Sequence, residues 1–236
     1  MNEPPRESLG VLLREFAAFI RRPRPTASIG LHGRDGWRRL AIMTALMIVV
    51  LLGLILPLLQ AWQAAFALPT PDAYGKLPPA MLVTVVLLIA PVSEELLFRG
   101  WLSGKPRALW LLACALVSGA LLYGSVLGFN PLVIGAGLLG LLVATPLGWF
   151  LLRKRHAPGW FAAAFPAMFY LTTAIFSLSH ISNYPAFSVL ALPLIVPQLW
   201  AGLVLGFVRM RIGLPASILA HMASNAAALV VAQLAG

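Results

Sequence analysis

Seven stretches of about 20 largely apolar residues run through this chain, at roughly 40–60, 79–101, 107–127, 131–152, 160–181, 187–208 and 214–235. A helix that crosses a bilayer needs about 20 such residues. Only helices and closed barrels satisfy every backbone N–H and C=O inside hydrocarbon. The pattern therefore predicts an all-α, polytopic transmembrane bundle of seven spans. Composition agrees: 60% of the 236 residues are hydrophobic and 10% are charged, whereas soluble domains carry roughly 25% charged residues. No long polar linker divides the chain. The expected organisation is a basic segment over 1–39 and one membrane-embedded domain over 40–236.

The net charge of +10 has a simple source in such a chain, because basic residues flank the spans, set topology and meet anionic lipid headgroups. No nucleic-acid partner is expected. Eight arginines precede the first span. Lys105 and Arg107 follow the second, Arg153, Lys154 and Arg155 the fourth, and Arg209 and Arg211 the sixth. Asp72 and Lys76 lie on the other side. The positive-inside rule then places the N-terminus in the cytoplasm and the C-terminus outside, with a bacterial cytoplasmic membrane as the expected location. Met1–Pro5 is polar and carries no signal-peptide pattern. Cys114 is the single cysteine, so no intrachain disulfide can form.

Residues Ser8–Ile20 read as an amphipathic helix, with Leu9, Leu12, Leu13, Phe16, Phe19 and Ile20 at helical spacing. Ser8 can cap its start, and Pro23 and Pro25 end it. Two placements are open to it: on the membrane surface, or packed on the end of the bundle. Gly135-Ala-Gly137-Leu-Leu-Gly140 fits a dinucleotide fingerprint only in letters, because that motif needs a βαβ unit. Close helix packing through small residues is the better account, there and at Gly124 and Gly128.

The chemistry concentrates at few positions. After Asp72 the only acidic residues are Glu94 and Glu95, inside an apolar span where each ionisable group costs about 2.5–3.5 kcal/mol on insertion scales. Glu95 and Arg99 are four apart and share a helix face, so they can pair. Glu94 points about 100° away and keeps a free carboxylate. A buried ion-pair network holding both glutamates is the alternative, but one arginine cannot neutralise two carboxylates. His180 ends one apolar run, and His221 and Asn225 share a face in another. His32 and His156 lie in basic loops. At about 1.5 Å per residue, Glu94 and His221 both lie roughly 15 Å in from the basic clusters. His180 would lie near the far face, unless 159–165 runs along the interface and the span starts at Pro166, which puts it about 21 Å deep.

A glutamate, two histidines and an asparagine on three helices suggest water activation in a membrane cavity. Glu94, helped by His180, can act as general base. Alternatively, Glu94, His180 and His221 can ligate a zinc ion with an open fourth position. Asn225, with His221, can stabilise an oxyanion. The HExxH motif of soluble zinc proteases is absent.

These residues resemble the CPBP family, also called the Abi or CAAX-prenyl-protease type 2 family of intramembrane proteases. Its pattern is EExxxR, FxxxH and HxxxN on successive membrane helices. The matching residues are Glu94-Glu95-x-x-x-Arg99, Phe176-x-x-x-His180 and His221-x-x-x-Asn225. The resemblance implies hydrolysis of a peptide bond in a membrane-associated or prenylated-CAAX-like substrate, and a metalloprotease by homology. Glu95 and Arg99 are expected from their spacing to be structural support, and the resemblance adds Phe176 to them. Many relatives place the second motif about one helix after the first, so the spans near 107–127 and 131–152 look inserted. An even number of added spans preserves orientation. Two other functions fit the same residues: a non-catalytic scaffold or bacteriocin-immunity protein of the same fold, and a proton-coupled transporter. The transporter predicts pseudo-symmetric broken helices in two halves, and the sequence shows none.

Overall fold

The computed structural model describes residues 8–72, 78–185 and 188–235; Met1–Pro5 and Lys76 lie outside them. The described residues are helical, with no strand, and seven helices are long and apolar enough to cross a membrane. Helix α1 is Leu9–Arg21. The spanning helices are α2 (Arg34–Ala65), α3 (Met81–Ser103), α4 (Pro106–Val126) and α5 (Pro131–Leu152). They continue with α6 (Gly159–Ser179), α7 (Val196–Arg211) and α8 (Leu214–Ala235). Short 3-10 turns, His180–Asn183 and Val189–Ile195, join α6 to α7.

Two spans widen where the sequence forces them to. Leu51–Ile55 in α2 and Val85–Ile89 in α3 are π-helical, and each ends two residues before a proline, Pro57 and Pro91. A proline inside a helix lacks an N–H and its ring crowds the carbonyl one turn back. One wider turn relieves that crowding, and such turns recur at functional sites.

The core lies toward the arginine-rich side. Phe161, Phe165 and Phe169 of α6 meet Val204, Leu205, Phe207 and Val208 of α7, all buried, with Met43 and Met47 of α2 behind them. Glycines set the α6–α7 distance. A Cβ on Gly206 would stand 2.4 Å from Phe169, and one on Gly202 would stand 2.8 Å from Thr173.

Helix α1 packs on the end of the bundle. Leu12 and Phe19 are buried in the core, Phe16 and Phe19 make edge contacts with Phe207, and the Tyr170 hydroxyl donates to the Ile20 carbonyl. Glu15 pairs with Arg39 and Arg211, each at 2.9 Å. Ser8 stands at the N-cap, but its side chain makes no capping bond. The strap that follows closes the far end of α7, whose last carbonyls have no helical partner. Thr26 Oγ1 donates to Met210 O at 2.9 Å, and the Ile29 and Gly30 amides donate to Arg211 O and Ile212 O at 3.0 and 2.9 Å.

Helices α4 and α5 form a hairpin that packs chiefly on itself and on the 3-10 turn Gly100–Ser103. Of the glycines expected to serve close helix packing, Gly137 does, beneath Leu121 of the facing helix. Gly124 packs on Phe129 of its own turn, Gly128 supplies the left-handed residue (φ +80°) that reverses the chain, and Gly135 and Gly140 face open space. The reason is local: Gly124 and Gly128 stand where the hairpin turns, away from the helix–helix contact.

Candidate active site

Helices α3, α6 and α8 each bring one part of the site. Glu95 occupies the buried face of α3, and one turn on, Arg99 Nη1 donates to Glu95 Oε1 at 2.5 Å. The Arg99 guanidinium also lies 4.0 Å over the Phe176 ring, an attraction of cation to ring face. Arg209 donates to the carbonyls of Arg99 and Gly100, at 2.9 and 3.5 Å, and so closes the end of the helix that holds the pair. The structural pairing expected from the four-residue spacing is present.

Glu95 has two further partners, both from α8. Ser217 Oγ donates to Glu95 Oε2, and His221 Nδ1 lies 3.0 Å from Glu95 Oε1. Carboxylate oxygens only accept, so the His221 Nδ1 carries the hydrogen. In the neutral ring this leaves a lone pair on Nε2. Ser217 is a site residue beyond those expected from the sequence, although a serine one turn before His221 in an apolar helix shares its face.

His180 follows the same logic by a different route. It stands where α6 ends, and its Nδ1 lies 2.8 Å from Phe176 O, an acceptor, so Nδ1 again holds the hydrogen and Nε2 the lone pair. Phe176 also meets His180 and His221 edge-on, with centroids 4.9 and 6.0 Å apart. It is thus the wall on which both imidazoles and Arg99 rest.

Glu94 lies between the two imidazoles. Its Oε2 is 3.7 Å from His221 Nε2 and 4.0 Å from His180 Nε2. Its side chain is 24% exposed and that of His180 18%, whereas Glu95 is 0% exposed. Glu94 and His180 are therefore within reach of another molecule and Glu95 is not. Asn225 comes to the same side of α8, and its Nδ2 donates to Val86 O in the π-turn of α3 at 2.9 Å.

The depth of His180 follows from the register of α6 on α7. Phe169 sits against Gly206 and Phe176 against Gly202. Counted along α7, His180 is about 20 Å in from Arg211, close to the level of Glu94. Residues 159–165 are the first turns of one continuous α6 that passes through Pro166. A separate interfacial segment does not form, because Phe161 and Phe165 are buried in the core and tie those turns to the rest of the helix.

The donor types suit zinc, but the spacing does not. A tetrahedral ion with ligands at 2.0–2.2 Å draws its donor atoms to within about 3.4 Å of one another. The two separations from Glu94 are 3.7 and 4.0 Å. Among the described residues no group of three or more His, Cys, Asp and Glu side chains is set to hold a metal. Separations of this size suit an oxygen atom hydrogen-bonded on both sides at about 2.6–3.2 Å.

A model of the type II CAAX prenyl endopeptidase family, Rce1-like, matches residues 76–160 and 147–227. Together the two stretches cover more than half of the chain and every site residue on the three helices, and they overlap over 147–160, from the end of α5 into the start of α6. No curated protein and no solved structure matches the chain.

Proposed function

Because this chain belongs to the Rce1-like family of type II CAAX prenyl endopeptidases, we propose that it hydrolyses a peptide bond within the membrane, with Glu94 as the general base. One observation carries the assignment: Glu94 Oε2 faces the Nε2 atoms of both His180 and His221 at water-bridged distance. A water between them gives one proton to Glu94 as its oxygen bonds to the scissile carbonyl carbon. Its second hydrogen stays on oxygen and donates a hydrogen bond to His180 Nε2. The carbonyl π pair moves onto oxygen, forming the tetrahedral intermediate. Glu94 then passes its proton to the leaving amine as the C–N bond breaks, leaving an amine and a carboxylic acid that keeps the water's second hydrogen.

The substrate we propose is a membrane-associated peptide, with a prenylated CAAX-like C-terminus as the leading class. Entry from the lipid is supported by Leu96, Leu97 and Leu178, exposed apolar residues on the helices that carry Glu94 and His180. The arginine-rich side, by the positive-inside rule, faces the cytoplasm. The test is cleavage of a farnesylated C-terminal peptide by protein in liposomes, beside the same peptide without its lipid. Cleavage that needs the farnesyl group and fails in Glu94→Gln supports the proposal. Equal cleavage of both peptides overturns the substrate class, and retained cleavage in Glu94→Gln overturns the base.

A further inference from the structure

We infer that Asn225 is a positioning residue, which aims Glu94 by holding the π-turn of α3 through the Val86 carbonyl. The inference rests on Glu94 as the base and adds what orients it.

Every backbone carbonyl inside a membrane helix needs a donor, and Val86 O has lost both of its own. In an α-helix its donor is the amide of residue 90, but the Ala90 amide donates to Val85 O. In the π register its donor is the amide of residue 91, and that residue is a proline with no N–H. With the turn in the π register, the carbonyl is therefore left without a backbone donor from position 90 or 91. Asn225 Nδ2, from the facing helix, donates to it at 2.9 Å. Ser93 makes a related local adjustment, donating from Oγ to Ile89 O at 2.7 Å.

The consequence reaches the site because a π-turn holds one extra residue. Everything after it is rotated by about 100° relative to an unbroken α-helix. Glu94 follows the turn by about one helical turn, so its direction depends on the turn being kept. Asn225 and His221 are four apart on α8, so one face of α8 both presents an imidazole to Glu94 and fixes the backbone that aims Glu94 at it. The amide N–H on Val86 O is spent on the protein and is not offered to substrate.

The rescue variant separates this role from oxyanion stabilisation. Pro91→Ala restores an amide at position 91 that can donate to Val86 O. Turnover of a peptide substrate is compared in the wild type, Asn225→Ala, Pro91→Ala and the double variant. The Val86 carbonyl is followed by solid-state NMR, with 13C-carbonyl valine, 15N-leucine, and Val86→Ile for assignment. Asn225→Ala is expected to lower kcat by roughly 10- to 100-fold, the scale of an ångström-level misplacement, with KM little changed and the Val86 signal shifted. In the Pro91→Ala background the same substitution is expected to cost less than about twofold on that scale, with the Val86 signal unmoved. An equal loss in both backgrounds overturns the inference, as does a Val86 signal unmoved by Asn225→Ala alone. If Pro91→Ala is itself inactive, the carbonyl signal decides by the same two outcomes. Glu94→Gln is the control: wild-type turnover there removes the underlying base assignment, while the Val86 signal still decides whether Asn225 holds the turn.

Discussion

His221 Nδ1 lies 3.0 Å from Glu95 Oε1, and this contact fixes which nitrogen the ring turns toward Glu94. The adjacent glutamates thus act in different layers. Glu95 is buried and bound to Arg99, Ser217 and His221, while Glu94 is partly exposed and faces the two Nε2 atoms.

This division predicts unequal damage. Removing Arg99 leaves the Glu95 carboxylate buried without its cation, and breaking a buried pair costs about 3–5 kcal/mol. Removing Glu94 deletes a partly exposed carboxylate. Arg99→Ala is expected to lower membrane yield and thermal stability far more than Glu94→Ala. Equal yield and melting temperature for the two variants would contradict the layering.

Ser217→Ala removes one donor to a buried carboxylate, worth about 1.5–3 kcal/mol for a charged acceptor. A loss of that size by thermal melting is expected, together with a fall in kcat, because Glu95 then orients His221 less firmly. Ser217→Thr keeps the hydroxyl and is expected to recover part of kcat. A Ser217→Ala variant that melts and turns over like the wild type would remove serine from this account.

The glycines of α7 give a packing test. A Cβ on Gly206 would meet Phe169 at 2.4 Å, whereas one on Gly119 meets nothing within 4 Å. Gly206→Ala is expected to destabilise by about 1–3 kcal/mol through overpacking. Gly119→Ala is expected to be neutral or slightly stabilising, since alanine is the better helix former. The reverse order in melting temperature would contradict the α6–α7 register that sets the depth of His180.

The spacing around Glu94 makes a prediction about metals. Treatment with a strong chelator is expected to leave turnover unchanged, measured after exchange into metal-free buffer. Loss of turnover that added zinc restores would show that the three side chains close by about half an ångström onto an ion.

Much of this was legible in the chain because the bilayer imposes strict rules on it. The spans followed from the length of apolar runs, and the Glu95–Arg99 pair from helical spacing alone. The placement of α1 was not legible. An amphipathic face with Leu12 and Phe19 suits a lipid surface as well as Phe207 and Phe169, and only the fold supplies the latter. The depth of His180 was only half legible, because sequence distance from Arg155 does not reveal how α6 registers against the glycines of α7. The widened turns before Pro57 and Pro91 were not legible, because a proline in a span marks a disturbed helix without fixing which turn gives way. That Asn225 answers the second depends on a contact between residues 139 positions apart, which no local pattern encodes.

The central claim is that Glu94 carries the chemistry. The most direct measurement compares protein termini, by mass spectrometry, in membranes bearing the wild type or Glu94→Gln at matched expression. New C-termini that appear with the wild type and vanish with Glu94→Gln are expected. Identical termini in both would contradict proteolysis by this site.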